Sequence, residues 1–295
     1  MPGEFDFIEW IRRLQSKSPM LDVGIGDDLA SLKWPADDLL LAGVDQVIDE
    51  VHFDSAIHSP DQIGRKAMNR NLSDCAAMGC LPAAALAAVA LPRNFSLDQA
   101  KQLYQGLRAA GDAFGCPLVG GDTAAWDGKL VLSVTILGRS AGQKPVTRSG
   151  AKEGDQIFVT GPLGGSILGR HMVFEPRVNL GRQIAPLASA MIDLSDGLSR
   201  DLAHICRSSG VGAIIEAAAV PIHADALQLS QQDGVPPLDH ALNDGEDYEL
   251  LFTSAQPVHH AIRIGRITAD PGIFLQDATG NRAALLPRGW EHSLG

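Results

Sequence analysis

The sequence predicts an α/β protein with mixed sheets, built as two domains. Short apolar runs at 38–48, 83–91, 129–138 and 156–161 alternate with stretches of helical spacing. A length of 295 residues fits about two domains. A polar segment holding Gly and Pro, "RSAGQKPVTRSGAKEGD" at 139–155, separates the two halves. The expected domains are 1–140 and 150–295. Hydrophobic residues make up 45% of the chain, enough for sizeable cores and too many for a disordered protein.

Each element follows from local pattern. Phe7, Ile8, Ile11 and Leu14 share one face of a helix over 5–15. "GIGDD" at 24–28 reads as a loop. The strand over 38–48 is expected to end near Asp45. Ser59–Pro60 is a helix start, and that helix runs through "NLSDCAAMG" to a stop at Gly79. The apolar run 81–92 is too short for a membrane span, which takes about 20 residues, and reads as a buried strand. Ser96 caps a helix in which Leu103, Leu107 and Phe114 recur. "CPLVGGDTA" at 116–124 is expected to be a strand entering a glycine loop, followed by a strand over 129–138. The second half begins with the strand "QIFVTG". "MIDLSDGLSRDLAHICRSSG" at 191–210 then reads as strand, acidic turn and helix. "GAIIEA", "YELLFT", "AIRIGRI", "GIFLQ" and "RAALLP" read as strands.

Composition excludes several classes. A net charge of −11 with no Lys/Arg-rich run argues against nucleic acid as a partner. The start, "MPGEFDFIEWIRR", is acidic and amphipathic, unlike a secretory signal, so no membrane association and a cytoplasmic location are expected. Cys75, Cys80, Cys116 and Cys206 form no CxxC pair, so they read as small buried residues in a reducing compartment.

The chemistry collects on aspartates: Asp27, Asp28, Asp45, Asp74, Asp122, Asp193 and Asp196. Each alone is explained as a cap or turn residue. Together, beside glycines and at the ends of apolar runs, they suit a hard cation such as Mg2+, which takes oxygen ligands and is usually shared with substrate phosphates. There is no GxxxxGK[ST] loop and no protein-kinase motif set.

Taken in order, "GIGDD", "NLSDCAAMG", "GGDT", "TRSGAKEGD", "IDLSDG" and "GEDYELLFT" resemble the thiamine-monophosphate kinase family, within the aminoimidazole ribonucleotide synthase (PurM-like) superfamily. The likeness runs from "GEF" at 3–5 to "LPRGWEH" at 286–292. It implies a two-domain PurM-like architecture. The N-terminal domain would be a sheet-forming, barrel-forming domain for ATP, metal and dimerisation. The C-terminal α/β domain would serve substrate and nucleotide. The implied reaction moves the γ-phosphoryl of ATP to thiamine monophosphate in a homodimer with several Mg2+ ions per site. By the same resemblance the metal ligands are Asp28, Asp45, Asp74, Asp122, Asp193 and Asp196, with Asp27 adjoining. Tyr104, Gly121, Asp122, Arg148 and Ser195 match nucleotide positions, and His52, Glu246 and Trp290 match substrate positions. No general base is implied, because a phosphate acceptor is already largely anionic at neutral pH. From the residues alone, His52 also reads as a surface histidine, and Trp290 as an anchor for the tail.

Three features depart from the family pattern. Gly43–Val44 stands where the family has Ser-Thr. Asp244 replaces a glycine before "GED". The stretches between "GPLGG" and "EPRV" and between "LLFT" and "IRIGRI" are short. The rival readings are another ATP-using PurM-like enzyme, a metal-dependent phosphatase, and a weakly active dimer that binds thiamine phosphates. No cysteine precedes Cys75, which argues against a selenophosphate synthetase, and the ending "HSLG" argues against the hydrogenase-maturation relative.

Overall fold

The computed structural model describes residues 4–25 and 29–290. The chain forms two units, Met1–Cys75 with Cys80–Gly142, and Ala76–Gly79 with Gln143–Gly295. Among the described residues, no helix is long and apolar enough to cross a membrane.

The first unit runs α1 (Glu4–Leu14), β1 (Leu21–Val23), β2 (Ser31–Leu32), β3 (Leu40–Ile48), α2 (Pro60–Ala77), β4 (Leu81–Pro92), α3 (Leu97–Asp112), β5 (Leu118–Trp126) and β6 (Val131–Arg139). Its main sheet has the order β3-β6-β4-β5. Only β4 and β5 pair in parallel, and α3 supplies the crossover that a parallel pair needs. Both long helices start where a capping box can form. Ser59 pairs with Gln62, and Ser96 with Gln99. Burial alternates along β6, so Leu132, Val134 and Ile136 face the core with Ile63, Met68 and Leu72 of α2 and Leu103 and Leu107 of α3. The opposite sheet face leaves Leu40, Val44 and Trp126 exposed.

The structure corrects three expectations. Asp45 lies inside β3 and not at its end, and "GGDT" is part of β5 and not a loop. Gly121 misled because its cause is close strand approach. A Cβ on Gly121 would lie 2.1 Å from the Ala87 carbonyl oxygen, so only glycine fits beside β4. The four-stranded sheet also stays open within the chain, where a barrel-forming element was expected.

The second unit runs β7 (Gln156–Val159), two 3-10 turns (Ser166–Leu168 and Arg170–Met172), α4 (Val178–Ile184), β8 (Ala190–Asp193), α5 (Leu198–Ser209), β9 (Gly212–Glu216), α6 (Ala224–Asp233), α7 (Pro237–Asn243), β10 (Leu250–Ser254), β11 (Ile262–Thr268), β12 (Ile273–Gln276) and β13 (Arg282–Ala284). Seven strands form one sheet in the order β13-β12-β9-β11-β7-β10-β8. Leu198, Leu202 and Ile205 of α5 pack on Ile157, Val159, Ile192, Leu251 and Ile264 of the sheet. Burying each such side chain contributes about 1.5–3 kcal/mol. The two 3-10 turns occupy the shortened stretch between "GPLGG" and "EPRV".

Candidate active site

In the first unit, α2 organises the predicted residues through one stripe at i, i+4 and i+8. Lys66, fully buried, donates to the His52 carbonyl at 2.5 Å. Arg70, one turn on, pairs with Asp45 at 3.3 Å. Asp74, one turn further, lies beside Gly43, where an added Cβ would be 3.8 Å from Asp74 Oδ2. Asp45 and Asp74 are therefore neighbours on the helix-covered side of β3. His52 Nδ1 accepts from the Ile48 amide at 3.1 Å. A neutral His52 ring then carries its proton on Nε2, as a donor.

Asp122 is not part of this group. The register runs Asp45–Val134–Ala87–Gly121 on one face of the sheet and Gln46–Ser133–Ala88–Asp122 on the other. Asp122 is exposed on that second face. Tyr104 is buried edge-on against Trp10, and its hydroxyl has no hydrogen-bond partner among the described residues. Burial pushes its phenol up to about 12, with Asp112 adding and Arg108 opposing. Asp27 and Asp28 lie outside the described residues.

In the second unit, three sequence segments meet on the turn between β8 and α5. Asp193 ends β8 and is buried. The Ser195 carbonyl accepts from Glu246 N at 2.8 Å, and the Leu194 carbonyl from Tyr248 N at 2.9 Å. The Asp196 carbonyl accepts from Trp290 N at 3.0 Å. Gly289 makes this last approach feasible, because a Cβ there would lie 1.8 Å from the Asp196 carbonyl oxygen. Thus "DLSDG", "GEDYE" and "RGWEH" form one cluster.

Asp201 and His204 were not among the predicted residues. They sit one and two turns into α5, and their ligand atoms lie within 4.8 Å of each other and of Asp196. Asp201 Oδ2 accepts from the amides of Asp196 and Gly197, both at 3.1 Å, and so shapes the turn. Burial pushes Asp201 up to about 8, and the charges of Asp193 and Asp196 add to this. Burial also lowers His204, followed by the nearby Arg148 guanidinium, while Asp196 opposes. Arg148 is exposed, and its carbonyl accepts from Ser209 Oγ, at the end of α5, at 3.4 Å. The signal for Asp201 was its helical spacing from "DLSDG", a pattern equally typical of a cap.

Asp244 does not leave a bare charge near the cluster. It receives the Gly165 amide at 2.8 Å and meets His240 Nδ1 at 3.0 Å.

Residues 26–140 match the family described as AIR synthase related protein, N-terminal domain. The chain is similar to the thiamine-monophosphate kinase of Rhodopirellula baltica, with 40% identity over 309 positions, covering 98% of this chain and 97% of that protein. It superposes on the thiamine-monophosphate kinase of Stenotrophomonas maltophilia with a TM-score of 0.81 at 33% identity, covering 95% of this chain and 98% of the other. It also superposes on AaThiL complexed with AMPPCP and TMP, with a TM-score of 0.79 at 30% identity, covering 99% of this chain and 97% of the other.

Proposed function

The chain belongs to the thiamine-monophosphate kinase family, and from that premise we propose that it phosphorylates thiamine monophosphate with ATP by direct, Mg2+-assisted, in-line transfer. The observation that carries this is the cluster on the β8–α5 turn. There Glu246 and Trp290, the residues matched to thiamine recognition, are hydrogen-bonded through their backbones to Ser195 and Asp196.

The donor set fits magnesium. It is made of carboxylate oxygens, and the ligand atoms of Asp196 and Asp201 lie within 4.8 Å of each other, close enough to share one cation. Asp193 and Asp196 would hold metal in the second unit, and Asp45 and Asp74 in the first. Asp122 and the undescribed Asp27 and Asp28 remain part of the proposed set by resemblance. When bound, Mg2+ neutralises phosphate charge so that two anions can meet.

The chain's own residues do the rest. Arg148, in the loop before β7, offers a guanidinium for the nucleotide phosphates, and Ser195 offers a hydroxyl on the β8–α5 turn. Tyr104 and Gly121 are kept as nucleotide positions by resemblance alone. His52 presents Nε2–H as a donor for the substrate phosphate. Trp290, half exposed, offers a ring face to the cationic thiazolium or the pyrimidine. No residue is assigned as general base, because the attacking phosphate oxygen already carries charge.

The exposed Leu40, Val44 and Trp126 on the open sheet support a homodimer formed through that face. The reaction is tested by incubating purified protein with ATP, Mg2+ and thiamine monophosphate and separating the products. Thiamine diphosphate and ADP in equal amounts are expected. Phosphate release without ATP would favour a phosphatase. Binding without turnover would favour a sensor.

A further inference from the structure

We propose that His171 and Tyr248 are positioning residues that aim the Glu246 carboxylate at the amino group of the substrate's aminopyrimidine. This rests on the reading of Glu246 as a thiamine contact.

The support is a side-chain ladder between residues 170–174 and 246–248. Arg170 Nη2 donates to Asp247 Oδ1 at 2.9 Å. The next residue, His171, meets Glu246 Oε2 through Nδ1 at 3.1 Å. Phe174 stacks on Tyr248 with ring centroids 3.8 Å apart. Tyr248 then turns its hydroxyl to Glu246 Oε1 at 3.3 Å. One carboxylate thus receives a donor on each oxygen. An ionised carboxylate only accepts, so His171 must carry a proton on Nδ1 in this arrangement.

The backbone gives an independent sign that this loop is built for more than packing. Gly245, Glu246 and Tyr248 all lie at positive φ, at +77°, +52° and +52°. Residues other than glycine rarely adopt that region, and they persist there when their surroundings over-determine it. Here the surroundings are dense. Ser166 Oγ donates to the Gly245 carbonyl at 2.8 Å, and the Gly164 amide to Asp247 at 3.0 Å. Asp247, His171, Phe174 and Tyr248 are all buried. The Glu246 side chain is 26% exposed, so the buried members frame a carboxylate that still reaches the surface. A group held in this way recognises a fixed donor, and the amino group on the pyrimidine of thiamine is one.

The test measures steady-state kinetics for His171→Ala, His171→Asn, Tyr248→Phe, Glu246→Ala and the double variant His171→Ala/Glu246→Ala. Two acceptors are compared, thiamine monophosphate and its analogue with oxygen in place of the pyrimidine amino group. His171→Ala should raise KM for thiamine monophosphate about tenfold, with kcat and KM for ATP changing less than about twofold. Its preference for the amino substrate over the oxygen analogue should shrink by a similar factor. His171→Asn should restore most of both. Tyr248→Phe keeps the stacked ring and loses only the hydroxyl, so it should show a smaller change of the same kind even if His171→Ala folds poorly. The double variant should be no worse than Glu246→Ala. If Glu246→Ala raises KM while His171→Ala and Tyr248→Phe leave both KM and the preference unchanged, the positioning role is overturned alone. If Glu246→Ala leaves KM unchanged, the reading beneath it falls as well.

Discussion

The backbone amide of Glu246 donates to the carbonyl of Ser195 at 2.8 Å. Asp196, the next residue, takes the amide of Trp290. Two proposed thiamine contacts are therefore fastened to the turn that carries two proposed metal ligands. Backbone bonds of this kind survive side-chain truncation, so the side chains can be tested without dismantling the turn.

Trp290→Ala is expected to weaken thiamine monophosphate binding by about 1–3 kcal/mol while leaving ATP affinity nearly unchanged. Half of the Trp290 surface is exposed, more than a buried tail anchor shows. Calorimetric titration with each ligand separates the outcomes. Equal loss of both affinities would mean that the ring holds the fold.

Asp74→Asn should reduce kcat strongly and change stability by less than about 0.5 kcal/mol. The carboxylate lies beside Gly43 and one turn from Arg70, which already pairs with Asp45. Thermal unfolding without metal, run beside kinetics, checks both halves. An inactive and markedly less stable variant would make Asp74 a structural residue.

Gly43→Ser should fold normally and lower the Mg2+ concentration needed for half-maximal rate. A Cβ at Gly43 would meet Ile136 Cγ2 at 3.7 Å and Asp74 Oδ2 at 3.8 Å, both ordinary contacts. The added hydroxyl then lies within reach of the Asp74 carboxylate. A Mg2+ titration of the rate that matches the parent protein would remove this position from the metal site.

His240 should make stability fall with rising pH. Burial lowers its pKa, but hydrogen bonds and charge from Asp244 and then Asp233 outweigh this, and the net shift is upward. A raised histidine stabilises the fold fully below its unfolded value near 6.5, and this contribution is lost as pH rises through the folded value. His240→Gln should therefore flatten the decline in Tm above about pH 6.5. An unchanged slope would mean that the imidazole stays neutral.

Much of this was legible in the sequence. The capped starts at Ser59 and Ser96, the stop at Gly79 and the strand–turn–helix around Asp193 and Asp196 all follow from local signals, and the structure has them. Asp122 shows where local signals fail. The adjoining Gly121 is demanded by β4, a neighbour distant in sequence, and only the register reveals which face the carboxylate takes. Lys66 and Arg70 were missed although they precede Asp74 at helical spacing, because buried cations on a helix resemble solvated ones until their partners are known. His171 and Tyr248 were missed for a similar reason. Their ladder joins segments more than seventy residues apart.

The most direct test follows the transferred group itself. In a single turnover, protein in excess over γ-labelled ATP is mixed with thiamine monophosphate and Mg2+ and quenched at intervals. The label should pass in one phase from ATP to thiamine diphosphate, with none on the protein. Label appearing in inorganic phosphate, or held covalently on the chain before product forms, would contradict direct transfer between the two substrates.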